Sequence, residues 1–275
     1  MKKVMWFLLL TGVSCLQAAA AGERLPAGAR SAAMGGASVA LQGFWSVFNN
    51  PAGMNGLSGP AAGLYADNRF FVRELTGSRV GAVVPAGHAS FGIALGWTGT
   101  GLYGELEGGL RVALQLARGF SAGVSADYLQ VRIAEGYGSG HYATCGFGLA
   151  YSGPGGFSAG IHLLNPLSLS PHTVPPARLL PVLCCGLAQN IGGNATVSAE
   201  VEKDQEHPLI LRVGAELRLA GNAFARVGAS TGPAVLTFGC GFAPGKLVID
   251  VSAGYHPALG FSPGLSLVYS FSKSR

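Results

Sequence analysis

The sequence predicts an all-β protein: a transmembrane antiparallel β-barrel of about fourteen strands, with an N-terminal hatch or plug seated inside its lumen. Three observations predict it. The chain opens with an export leader. It is hydrophobic throughout, yet after the leader no stretch is long enough for a membrane helix. From residue 61 onward it alternates with period two.

The leader is MKKVMWFLLLTGVSCLQAAAAG: Lys2 and Lys3, an apolar run from Val4 to Val13, then small residues to Ala21. This is the three-part plan of a secretory signal peptide, cleaved near Ala21 and too short to remain as a membrane anchor. Cys15 lacks a leucine three residues earlier, which argues against lipidation. The expected organisation is therefore a signal peptide over 1–21, a hatch over 22–58 and a barrel over 59–275.

Charged residues make up 11% of the 275 residues and glycine occurs 44 times, against about 25% charged and about 7% glycine in an ordinary soluble domain. The formal net charge is only +5, two of those charges being leader lysines, which excludes a nucleic-acid partner. No later apolar run reaches the roughly 20 residues of a membrane helix. An exported, hydrophobic chain of this kind can cross lipid only as a closed barrel, because an open sheet edge leaves backbone groups unsatisfied in hydrocarbon. The expected location is the outer membrane of a Gram-negative bacterium, with outer-membrane lipid as the first partner.

The alternation gives the elements in order: 61–72, 78–86, 89–98, 108–117, 120–133, 142–151, 156–164, 179–189, 195–203, 208–219, 222–230, 234–242, 246–256 and 263–272. Each is long enough to cross a bilayer at a tilt, a crossing that takes roughly 9–11 residues. In 143–151 the residues Cys145, Phe147, Leu149 and Tyr151 share one face, and Thr144, Gly146, Gly148 and Ala150 the other. Alternate connections are short and glycine-marked, as at Gly87, Gly119, Gly192-Gly193, Gly221 and Gly245. Those between, such as 98–108, 134–141 and 165–178, are longer, and 230–233 is the exception. Short turns at one end and longer loops at the other are the asymmetry of outer-membrane barrels. A soluble sandwich would carry Lys, Glu and Thr on its wet face, whereas here that face is mostly Gly, Ala and Ser.

Placing the greasy face in lipid turns nearly every mid-strand charge inward: Arg79, Arg111, Asp127, Glu200, Glu202, Arg212, Glu216, Arg218, Arg226 and Asp250. A charge facing lipid at mid-depth costs roughly 2–4 kcal/mol, so the sorting is the expected one. Two roles stay open for these charges: pairing across neighbouring strands, or a polar stripe that binds the plug or guides a solute.

Signals for catalysis are weak. Gly99 to Gly104 matches G-x-G-x-x-G and Gly228 to Gly232 matches G-x-S-x-G, but each motif needs a helix after it and none follows. His256 and Asp250 share a face six residues apart, roughly 20 Å along a strand. No His/Cys spacing suits a metal. Neither an enzyme, a metal nor a cofactor is expected. Cys145, Cys184, Cys185 and Cys240 all fall in alternating segments, which reads as small wall side chains rather than disulfides.

Residues 22–58 do not alternate. Met34, Val39, Leu41, Phe44, Trp45, Val47, Phe48 and Met54 are too apolar for a solvated tail, and a lumen lined by small residues has room for them. Within this segment Arg30, Met34, Gly35 and Gly36 precede Asn50, Pro51, Ala52 and Gly53. These two elements resemble the N-terminal region of the FadL-type outer-membrane transporter superfamily, closest to its PorV/PorQ-like branch. The resemblance covers about 25 residues and implies a fourteen-stranded barrel whose hatch carries the Asn-Pro-Ala element. For function it implies an accessory role in type IX protein secretion or surface attachment, with secretion-system proteins or secreted cargo as partners. The alternative is passive uptake of small hydrophobic compounds. Met54 stands where the family usually has leucine, and the short loops leave little for an outer hydrophobic site. If a gap in the wall exists, Pro85 and Pro181 are where it is expected, since each removes a ladder donor.

Overall fold

A computed structural model describes residues 24, 26–101, 103–134, 138–170, 179–219 and 221–272. The expected leader, 1–21, lies outside the described residues. Fourteen antiparallel strands close into a barrel, each paired with its sequence neighbours and the first with the last. The first seven are β1 Ala61–Asn68, β2 Thr76–Ala86, β3 Ala89–Gly99, β4 Tyr103–Ala117, β5 Phe120–Ile133, β6 Gly138–Ser152 and β7 Phe157–Leu169. The other seven are β8 Val182–Ile191, β9 Ala195–Lys203, β10 Ile210–Arg218, β11 Ala223–Thr231, β12 Ala234–Phe242, β13 Leu247–His256 and β14 Gly260–Ser270.

The strand phase follows from the alternation. Val80, Ile93, Leu110, Phe147 and Leu265 are exposed on the outer wall, while Arg79, Arg111, Glu200, Arg226 and Asp250 are buried inside. Burying one face among charges and the other in hydrocarbon fixes register strongly, because a slip of one residue would exchange the faces.

Some ends differ from expectation. The predicted strand 61–72 stops at Asn68, and two 3-10 turns, Arg69–Phe71 and Arg73–Leu75, follow; Phe70 and Phe71 take φ of 59° and 55°, which a strand cannot contain. The long connection expected at 98–108 shrinks to 100–102, because β4 begins at Tyr103 and the wall rises there. Part of 165–178, read as a loop, continues β7 to Leu169. Leu179 and Leu180, read as the start of a strand, stand outside β8 and are buried. The difference in length between the two ends of the barrel is accordingly smaller than predicted.

Residues 26–58 fill the lumen. Two short helices, α1 (Ala29–Ala33) and α2 (Ser46–Asn49), are followed by a 3-10 turn, Pro51–Gly56. The first lies against β11 to β14, and the 3-10 turn against β2 to β6. Phe44, Trp45, Val47 and Met54 form one apolar cluster with Tyr65, Val83, Ala94 and Ala113 of the wall, and the Trp45 ring meets Tyr65 edge-on at 6.0 Å. Wall glycines make this fit possible: a Cβ on Gly123 would collide with Ala52, on Gly160 with Val39, and on Gly214 or Gly228 with Met34. The smallness of the inner face, legible as composition, is thus a steric match to one particular segment.

Candidate functional site

Inward charges cluster on β9, β10, β11 and β13, and several of them meet the N-terminal segment. Glu216 on β10 accepts from Arg226 Nε of β11 at 2.6 Å and from Arg30 of α1 through two bonds of 2.9 and 2.7 Å. Arg226 continues to Asp250 on β13 at 2.7 Å. One strand earlier, Glu200 accepts the backbone amides of Ser38 and Val39, both at 2.7 Å. Arg24 pairs with Glu200 and Glu202, and Arg212 pairs with Glu202 as well. On the opposite wall Arg111 donates to the Val47 carbonyl at 2.9 Å and pairs with Asp127 at 2.6 Å. Arg79 is 3.8 Å from Asp67. The two roles left open by the sequence therefore coincide: the same carboxylates pair across strands and hold the segment. Arg218 closes β10 at the exposed rim, 6.0 Å from the Phe224 ring.

Each sequence motif has a defined place. Met34 is fully buried, and Gly35 follows with φ of 68°; a Cβ there would stand 2.5 Å from the Ala229 carbonyl, so only glycine fits. The Gly35 amide donates to Thr237 Oγ1, whose hydroxyl donates to the Ala33 carbonyl, each at 2.9 Å. Gly36, φ 82°, lies over the Arg212 side chain. Asn49 ties the segment to itself, donating to the Ala27 carbonyl and Ser31 Oγ. Asn50 is completely buried: its Oδ1 caps the Ala52 amide ahead of Pro51, and its Nδ2 donates to the Val39 and Leu149 carbonyls. Gly53 lies against Ser46, where a Cβ would stand 2.6 Å from its Oγ.

Past the 3-10 turn lies a cavity of about 100 Å³. Val47, Phe48 and Pro51 line it from the segment, Arg111, Asp127, Leu129 and Leu164 from the wall. Leu179, packed with Leu129, Val131 and Tyr142, also borders it. Beside it the wall is irregular. Between Gly146↔Leu164 and Thr144↔Ser168, β7 carries two more residues than β6, with Asn165 at φ 52° and Pro166 in the excess. The Thr144 hydroxyl spans this bulge to the Leu167 carbonyl at 2.7 Å. Pairing of β7 with β8 ends at Leu164↔Val182, so among the described residues 165–169 have no partner on β8. Of the two prolines expected to mark a gap, Pro181 sits at this end, whereas Pro85 pairs in register with Ser90. Pro166 was not anticipated, because it lay in a predicted loop.

Other signals resolve structurally. Ser230 of the G-x-S-x-G match lies in β11 opposite Val235, and Gly99 ends β3, so both glycine motifs are hairpin ends. Among the described residues Cys184, Glu200 and Glu202 come together, but Arg24 and Arg212 already bind the carboxylates, as in an ion-pair network. Cys145, Cys184, Cys185 and Cys240 are free thiols. Cys145, assigned to the lipid face, borders the cavity at the bulge. Sequence reasoning passed over Arg24, in the stretch after the leader, Asp67, within the predicted strand 61–72, and Glu105 and Glu107, ahead of the predicted strand 108–117. It also set aside His162, whose Nδ1–H donates to the Asn49 carbonyl at 2.9 Å.

Fold and site define a fourteen-stranded barrel of the outer-membrane type whose N-terminal segment is clamped in the lumen. No protein-family model matches the chain, and no curated protein matches it in sequence. Solved structures do. The CymD monoaromatic hydrocarbon channel superposes with a TM-score of 0.71 at 14% identity, over 90% of this chain and 98% of that one. The Ralstonia pickettii toluene transporter TbuX gives 0.67 at 15% identity, over 89% and 98%. A Pseudomonas aeruginosa FadL homologue gives 0.64 at 11%, over 89% and 98%. The fold is that of FadL-type outer-membrane transporters.

Proposed function

We propose that the protein is a channel for passive uptake of small hydrophobic compounds across the outer membrane. In this reading residues 1–21 are the leader, 22–58 the hatch and 59–275 the barrel. The carrying observation is that the cavity and the break in wall pairing share Leu164, the last β7 residue paired with β8. A solute held above the hatch would thus lie beside a place where few backbone bonds oppose an opening toward lipid. The solved structures of the same fold include channels for monoaromatic hydrocarbons and toluene, which supports the same reading. It replaces the secretion role as the leading one.

The test is entry of labelled toluene into vesicles whose outer leaflet is lipopolysaccharide, a layer that slows hydrophobic solutes. Protein-containing vesicles are expected to fill faster than empty ones, and equal rates would remove the proposal. The accessory role in secretion or surface attachment, closest to the PorV/PorQ-like resemblance, is the second reading. What favours it is an apolar rim at the end that carries the β1–β2 and β7–β8 connections, where Phe71, Leu167 and Leu169 are about 70% exposed. Co-purification of a secreted protein from native outer membranes would support that reading.

A further inference from the structure

The cavity is not purely apolar, and its unpartnered atoms have a definite chemistry. Because a carbonyl oxygen only accepts, the 2.9 Å bond from His162 to the Asn49 carbonyl places the proton on Nδ1. In the neutral ring, Nε2 is then a bare acceptor. It points toward Gly146, where a Cβ would stand 3.2 Å from it, and Gly146 lines the cavity. Nε2 is buried without a hydrogen-bond partner, and so are Arg24 Nη2 and Arg111 Nη1, donors on two more side chains lining the same cavity, and Asp127 Oδ1, an acceptor there whose charge Arg111 Nη2 meets at 2.6 Å. The side chains of His162, Arg24 and Arg111 are each more than nine-tenths buried. Buried polar atoms left this way cost free energy unless something pairs with them.

We infer that the cavity binds the hydroxyl group of a small neutral solute, a phenol-sized alcohol or phenol, which donates to His162 Nε2 and accepts from Arg24 Nη2 or Arg111 Nη1. The inference deepens the uptake reading and rests on it for the identity of the pathway, though not for the site. A hydroxyl supplies both a donor and an acceptor on one atom, as this set demands; a hydrocarbon supplies neither. A carboxylate would satisfy the arginines only. It would also meet Glu105, Glu107 and Asp127, which line the same cavity. Size sets the remaining limit. About 100 Å³ is several times the roughly 10–15 Å³ that one water needs and within a factor of two of the roughly 150 Å³ of an apolar cavity known to hold benzene; the cavity is not sealed, so part of a phenol ring stands in its mouth. Phe48, Leu129 and Leu179 offer the ring its apolar contacts.

The probes are labelled phenol, toluene and benzoate, measured by equilibrium dialysis against the full chain in vesicles, with protein-free vesicles as the blank. Phenol is expected to bind on the order of tenfold more tightly than toluene, the worth of one well-made buried hydrogen bond. His162→Leu is expected to bring the phenol-to-toluene ratio to about one. Gly146→Ala brings a methyl group to 3.2 Å from Nε2 without touching the Asn49 bond, displaces the Ser125 hydroxyl that would stand 2.7 Å from it, and is expected to weaken phenol by at least about tenfold. Heat-modifiable gel mobility checks that each variant is folded. A ratio near one in the unmodified protein, a ratio that survives both substitutions, or benzoate binding more tightly than phenol would each overturn the inference; no phenol binding would mean a site for water only. Phenol binding without entry into lipopolysaccharide vesicles would keep this site and remove the channel reading. Entry without preference would do the reverse.

Discussion

Glu216 shows at the scale of one residue how a lumen charge is made tolerable. It lies between Arg30 of the N-terminal segment and Arg226 of the neighbouring strand, and each guanidinium meets it at hydrogen-bonding distance. Removing one partner from a buried ion pair leaves the others uncompensated, which costs about 3–5 kcal/mol, far more than a surface pair is worth. Glu216→Ala is therefore expected to lower barrel stability by about that amount in denaturant titration, and an unchanged midpoint would show that water reaches these groups. That Glu216 faces inward was legible from alternation, whereas its pairing with Arg226 one strand away was one of two roles that the sequence left open. The bond to Arg30, 186 residues earlier in the chain, left no trace in spacing.

Among the elements, the turns divide into those that only connect and those that shape the lumen. The connection after β9 belongs to the first kind. Asp204 accepts from the amides of Glu206 and His207 at 2.9 and 2.6 Å and from His207 Nδ1 at 2.6 Å. Partial burial, the largest influence, would raise the Asp204 pKa, but the bonds from His207 and Glu206 outweigh it and hold the carboxyl below its usual value. A depressed pKa means that the turn's stabilisation is present above the ordinary aspartate value of about 3.9 and is lost as pH falls through the lower, folded value. The amide shifts of Glu206 and His207 are expected to titrate together with a midpoint below the ordinary one. Leu179, just ahead of β8, belongs to the second kind, because it turns inward onto Leu129, Val131 and Tyr142. Leu179→Ala removes buried contacts worth about 2–5 kcal/mol and is expected to speed toluene entry; an unaltered rate would place Leu179 off the path. Alternation read Leu179 and Leu180 as strand because both are apolar. Only the excess residues at Asn165 and Pro166 explain why the ladder had already broken.

For the whole molecule, barrel and N-terminal segment form one packed body rather than a tube with a tail. Apolar packing around Trp45 and charge clamps at Glu200 and Glu216 hold opposite sides of the segment. Deleting residues 22–58 is expected to raise the ion conductance of the reconstituted barrel, because an aqueous lumen would replace the packed one. Conductance equal to that of the intact chain would show that the segment does not obstruct the pore.

By itself the sequence determined the barrel, its strand count, the face that most wall residues show and the inward placement of most of the mid-strand charge. All of these follow from a two-residue period read against a solvent that tolerates no exposed backbone and few charges. The tertiary structure decided what the period cannot carry: which carboxylate receives which distant amide, where the wall loses a partner, and which polar atoms are left facing the cavity. Those depend on register and on contacts between residues far apart in the chain, where closure of the barrel, not local pattern, sets the neighbours.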